Sequence, residues 1–206
     1  MTIIGETNMN LFIKLFQILL FLIASNTYAD ALVNSHILRF GGQMEERAQG
    51  MAVLDNGDYL ITGYTFSGDL PCVGTAQISH HNPQTSSGYD QWVHSDAYVA
   101  RFDGTTHTLS WCTYLGGSSE DRAYQLVADE NFIYVTGVTE SDDFDATGNI
   151  QTNGHAIFLS KLSLDGQNLL YTTLIDGDDK EWIRNGIALS FNNSTTANYI
   201  YLAGES

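Results

Sequence analysis

The sequence predicts an all-β chain: a partial β-propeller made of four-stranded antiparallel blades, with about two and a half blades present. Three observations point there. A phrase of aromatic and β-branched residues ending in glycine occurs three times, an acidic stretch ending in arginine follows each copy, and a hairpin whose return strand closes on glycine follows that. Repetition of this kind fixes an architecture, because each unit must bury its apolar face against a neighbour.

The first element of the repeat is Leu109-Ser110-Trp111-Cys112-Thr113-Tyr114-Leu115-Gly116-Gly117, which aligns without a gap on Leu169-Leu170-Tyr171-Thr172-Thr173-Leu174-Ile175-Asp176-Gly177. A shortened copy runs from Ile37 to Gly41-Gly42. The acidic stretches that follow end at Arg47, Arg122 and Arg184. Next comes a small apolar segment, such as Gly50-Met51-Ala52-Val53, and a polar turn, such as Asp55-Asn56-Gly57-Asp58, which together signal a hairpin. The return strands, Tyr59 to Gly63, Phe132 to Gly137 and Tyr199 to Gly204, are rich in the side chains that suit a pleated surface. Ser67-Gly68-Asp69-Leu70-Pro71 then matches Ser141-Asp142-Asp143-Phe144-Asp145, and a further strand follows in each (Ala97 to Phe102, Ala156 to Leu162). One unit therefore holds four strands, as a propeller blade does. The expected units are approximately 43–117, 118–177 and an incomplete 178–206, with a long loop from Ser67 to Ser95 in the first.

The phrases Thr113-Tyr114-Leu115-Gly116-Gly117, Asp121-Arg122-Ala123-Tyr124, Ile133-Tyr134-Val135-Thr136-Gly137 and Asp96-Ala97-Tyr98-Val99-Ala100-Arg101-Phe102 closely resemble the SBBP (seven-bladed β-propeller) repeats of exported bacterial proteins. The resemblance spans roughly residues 37 to 206 and implies a bacterial, exported repeat protein. Asp176-Gly177 departs from its glycine pair. Propellers close with about four to eight blades. The expectation is therefore a fragment of a longer chain whose remaining blades are partners of these.

Export is also read from the first 29 residues: Lys14 precedes an apolar run from Leu15 to Ala24, and Ala29, after Thr27, offers a small-residue cleavage site. The run is shorter than the roughly 20 residues of a bilayer span. A signal peptide over 1–29 is expected, with the mature chain from 30 to 206 secreted, periplasmic or on the cell surface and no membrane span left. Removing it takes Glu6 and Lys14 together, so the net charge of −16 belongs to the domain. Such a surface repels phosphate backbones and argues against nucleic acid. In an oxidising compartment Cys72 and Cys112 are free either to pair or to stay apart.

Candidate functional residues are few. The long loop carries His80, His81, Tyr89, Trp92 and His94, aromatic and amide-rich surroundings that suit a sugar or a peptide. The acidic stretches recur in every unit, whereas a catalytic pair occurs once, so Arg47, Arg122 and Arg184 are assigned with Gly42, Gly63, Gly117, Gly137, Gly177 and Gly204 to structure. Asp143 opens a calcium-like loop, but Gly154 stands where the closing glutamate belongs, and a plain turn is preferred. No metal, cofactor or catalytic residue is assigned. The expected function is a non-catalytic exported scaffold that binds protein or carbohydrate. A propeller enzyme acting on extracellular polysaccharide is the alternative.

Overall fold

The computed structural model describes residues 39–72, 94–144, 154–176, 182–190 and 199–205, with backbone alone for 182–185 and 204–205. The leader, residues 73–93 with His80, His81, Tyr89 and Trp92, most of the calcium-like loop, and Gly177 lie outside the described residues. The described residues from Phe40 onward form one compact unit.

The described residues form strands and turns, with no helix among them: β1 (Glu46–Val53), β2 (Tyr59–Thr65), β3 (Asp96–Phe102), β4 (Leu109–Leu115), β5 (Asp121–Ala128), β6 (Phe132–Thr139), β7 (Ala156–Ser163), β8 (Leu169–Ile175), β9 (Trp182–Ser190) and β10 (Tyr199–Glu205). They make two four-stranded sheets, in the orders β1-β2-β3-β4 and β5-β6-β7-β8, and a two-stranded sheet of β9 and β10. Every pairing is antiparallel. The fold is all-β, built from antiparallel four-stranded sheets that remain open.

Period-two alternation decides which side chains meet. In β2, Leu60 faces the second sheet while Ile61 faces away; in β6, Val135 turns back to the first sheet and Tyr134 faces on to β9. The seam between the four-stranded sheets therefore joins Leu60, Ala97, Val99, Trp111 and Leu115 on one side to Leu126, Ile133, Val135, Phe158 and Leu162 on the other. Each leucine, isoleucine, valine and phenylalanine among them contributes roughly 1.5–3 kcal/mol on burial. The partly exposed ion pairs of the molecule contribute about 0–1 kcal/mol each, so apolar burial holds the sheets together. The stacking follows one rule: β5 lies against β1, β2 and β3, and β9 lies against β5, β6 and β7.

The glycines that close the return strands have a backbone reason. A β-bulge interrupts the first pairing of each four-stranded sheet, between Ala48 and Gly50 in β1 and between Ala123 and Gln125 in β5. The bulge brings the carbonyl oxygen of Arg47 against Gly63 and that of Arg122 against Gly137, where a Cβ would collide with it. Gly204 pairs with Ile183 beside a third irregularity. The threonines just before Gly63 and Gly137 repeat one bond: Thr62 Oγ1 donates to the Tyr98 carbonyl at 2.7 Å and Thr136 Oγ1 to the Phe158 carbonyl at 2.9 Å.

Candidate functional site

The strands place two sets of polar residues at opposite ends of the seam. At the end where β1, β3 and β5 begin, each four-stranded sheet carries the same carboxylate clamp. Gly42 N–H donates to Glu46 Oε1 at 3.1 Å, Gln43 N–H to Asp69 Oδ1 at 3.0 Å and Met44 N–H to Ser67 Oγ at 2.8 Å. One unit on, Gly117 N–H donates to Asp121 Oδ2 at 2.7 Å, Ser118 N–H to Asp143 Oδ1 at 2.6 Å and Ser119 N–H to Ser141 Oγ at 2.9 Å. The serine hydroxyls donate in turn to the carboxylates, Ser67 to Glu46 and Ser141 to Asp121 at 2.8 Å. Of the three consecutive loop N–H groups, the first is thus held by the acid at the start of the next strand and the other two by one short segment after the return strand.

The clamp accounts for the glycine pairs. A Cβ on Gly41 or Gly116 would enter the space of the Glu46 or Asp121 carboxylate, and one on Gly42 or Gly117 would meet Ser67 and Asp69 or Ser141 and Asp143. It also shows what Asp143 does: its Oδ1 accepts the Ser118 N–H. The serine and aspartate recurring at one offset in the sequence were the available signal for it.

Arg47 and Arg122 pair with the acids two residues earlier, Glu45 and Glu120. Both also approach the Tyr64 ring, at 5.9 Å and 4.9 Å from its centroid. The loops themselves are closed by Glu46 and Asp121. Arg184 and Gly204 have their backbones in β9 and β10. Of the loop histidines, His94 is described; it is half-buried, one residue before Ser95, whose carbonyl accepts the Asp121 N–H at 2.6 Å. Cys72 and Cys112 form a disulfide, Cα to Cα 4.6 Å, tying the segment after β2 to β4. The same segment is fixed by Tyr114, whose hydroxyl accepts the Leu70 N–H at 2.9 Å and donates to the Ser67 carbonyl at 3.0 Å.

At the other end of the seam a cleft of about 480 Å³ opens between the β1–β2 and β5–β6 turns. Val53, Leu54, Ala128 and Leu164 give it an apolar floor, and Asp55, Asn56, Asp129 and Glu130 rim it with acceptors. Arg101 is its fixed wall. Its Nε and Nη2 donate to Asp58 Oδ2 at 3.0 and 2.7 Å and its Nη1 to the Leu164 carbonyl at 3.0 Å, so one side chain fastens the first sheet to a turn of the second. Asp129 is spent inside the turn, accepting from the N–H groups of Asn131 and Phe132, both at 2.8 Å, and from the Tyr134 hydroxyl. Asp55 and Glu130 are exposed. The cleft therefore offers carboxylates over an apolar floor, an arrangement that receives hydroxyl or ammonium donors. Sequence reasoning missed it because its residues come from turns of two different units.

Among the described residues no group of three or more His, Cys, Asp or Glu side chains is placed to hold a metal ion, and no helix is long and apolar enough to cross a membrane. No protein-family model matches the chain, and no curated protein is significantly similar to it.

Proposed function

We propose that the chain is part of a β-propeller of the SBBP type that works outside the cytoplasm as a non-catalytic scaffold, binding protein or carbohydrate through the seam clefts. The observation that carries the propeller is the repeated stacking rule, in which the first strand of a sheet rests on the first three strands of the sheet before it. Equivalent positions support further sheets of the same kind. Leu126 in β5 is 1% exposed beneath the first sheet, while its counterpart Met51 in β1 is 61% exposed. Tyr134 is buried by β9, while its counterpart Tyr201 in β10 is exposed. The leader motif and the Cys72–Cys112 bond both suit an exported protein.

Binding is read from the cleft, whose exposed carboxylates stand over an apolar floor on a rigid frame. The test is a glycan and peptide array probed with the full-length gene product and with its Asp55→Asn, Glu130→Gln double variant. The expected result is a hydroxyl-rich or basic ligand retained by the parent and weakened about tenfold in the variant at unchanged melting temperature. Equal binding by both proteins would remove the cleft from the proposal, and turnover of any sugar would make the chain an enzyme.

A further inference from the structure

The strand registers identify two recurring positions through which one sheet meets the next. Leu60, Tyr134 and Tyr201 each stand three residues before the glycine that closes a return strand, Gly63, Gly137 and Gly204. Ile61, Val135 and Leu202, two residues before the same glycines, pair across their hairpins with Met51, Leu126 and Ile187. Met51, Leu126 and Ile187 are therefore one position in three sheets, and Leu60, Tyr134 and Tyr201 are another.

The chain uses the two positions together wherever its sheets meet. At the first seam, Leu60 of one sheet and Leu126 of the next belong to one buried cluster. At the second, Tyr134 and Ile187 do the same. Tyr201 and Met51 are the remaining members of the two sets, and they are 59% and 61% exposed. Tyr199 and Val53, two residues from each along their strands, are exposed on the same faces. Their counterparts in the second seam, Phe132 and Leu189, pack against its buried cluster. Of the seven large apolar side chains exposed among the described residues, these are four, so the uncovered apolar surface concentrates on two faces whose counterparts elsewhere in the chain bury each other.

We propose that the Met51 face of one molecule docks on the Tyr201 face of a second copy, so that the seam between sheets continues from molecule to molecule. This rests on the propeller reading above and adds the source of the further sheets. The occupant is a second copy because this chain carries both halves of the contact and already makes its equivalent twice within itself. The contact is head-to-tail: a copy that joins through Met51 presents its own Tyr201 face, and the assembly grows until it closes as a ring or runs on as a filament. The net charge of −16 on each copy opposes their approach. Sodium chloride screens that repulsion and therefore strengthens an apolar contact.

Sedimentation velocity of the parent, Met51→Glu and Tyr201→Glu tests this. Both substitutions fall on exposed side chains, and Val53 is left unchanged because it borders the cleft. The parent should associate as its concentration rises to about 100 μM, and more strongly with added salt. Each variant alone should sediment as a monomer, since a carboxylate buried in an apolar contact is costly. An equimolar mixture of the two variants should form a dimer that grows no further, because the intact Tyr201 face of one meets the intact Met51 face of the other. A monomeric parent overturns the inference while leaving the stacking rule and the cleft-binding test untouched. Parent-like association of either variant alone overturns it, because the substituted face is then not used, and so does a mixture that stays monomeric. Association that salt dissolves overturns it too, since charges would then hold the copies together.

Discussion

Arg47 and Arg122 occupy equivalent places in successive units, yet their guanidinium groups converge on a single ring, that of Tyr64, which is nearly buried at the end of β2. Arg122 reaches it across the seam and is the closer of the two. A partly desolvated cation over an aromatic face contributes about 0.5–2 kcal/mol. Arg122→Ala should therefore destabilise the chain by about 1–2 kcal/mol, and a double-mutant cycle with Tyr64→Leu should recover a coupling of about 1 kcal/mol. Arg47→Ala, at an exposed side chain, should leave the denaturation midpoint unchanged. Equal effects at both arginines would show that the seam contact is not what stabilises.

The glycines separate by cause. A Cβ on Gly137 runs into the Arg122 carbonyl and the Phe158 ring, whereas Gly57, at φ 89°, has nothing within 4 Å. Gly137→Ala should cost about 2–3 kcal/mol by forcing the bulge apart, and Gly57→Ala only about 1 kcal/mol of backbone strain. Urea denaturation of the two variants gives the comparison, and a smaller loss at Gly137 would contradict the close approach.

Closing a loop between Cys72 and Cys112, 40 residues apart, should stabilise the folded chain by about 2–4 kcal/mol. Cys72→Ala should lose that amount, and dithiothreitol should lower the parent's stability to match while leaving the variant untouched. A parent insensitive to reductant would refute the contribution.

Asp58 bends the pH profile at its acid end. The Gly104 N–H, and then Arg101, hold its carboxyl below the usual carboxylate range. That stabilisation is complete above the unfolded carboxylate pKa of about 3.9 and disappears as pH falls through the lower folded value. Asp103 and Asp165 are shifted the same way by turn N–H and hydroxyl donors. Burial raises the Asp121 carboxyl instead, so its contribution grows as pH falls, and stability should peak in mildly acidic solution. Asp58→Asn should lose stability at pH 5 relative to the parent and converge on it near pH 2, as followed by circular dichroism melts.

The strands were legible in the sequence because local chemistry dictates them: β-branched and aromatic runs, Asn-Gly and Asp-Gly turns, and a pattern that returns at the next unit. The clamp was half legible. Ser67 and Asp69 align on Ser141 and Asp143, but which N–H groups they serve depends on how the return strand folds back over the glycine pair. The Arg101 cleft was hidden, because it joins residues of different sheets and only the packing of one sheet on the next brings them together. Asp176 stands in the sequence where Gly41 and Gly116 stand.

The stacking rule also sets an order of assembly. Each sheet is made of consecutive stretches of chain, and its first strand settles on a sheet already synthesised. A chain emerging from the ribosome can therefore complete one sheet while the next is still being made, and every newcomer finds a finished template waiting. Growth by added units then lengthens the protein without lengthening the search that any one strand must make.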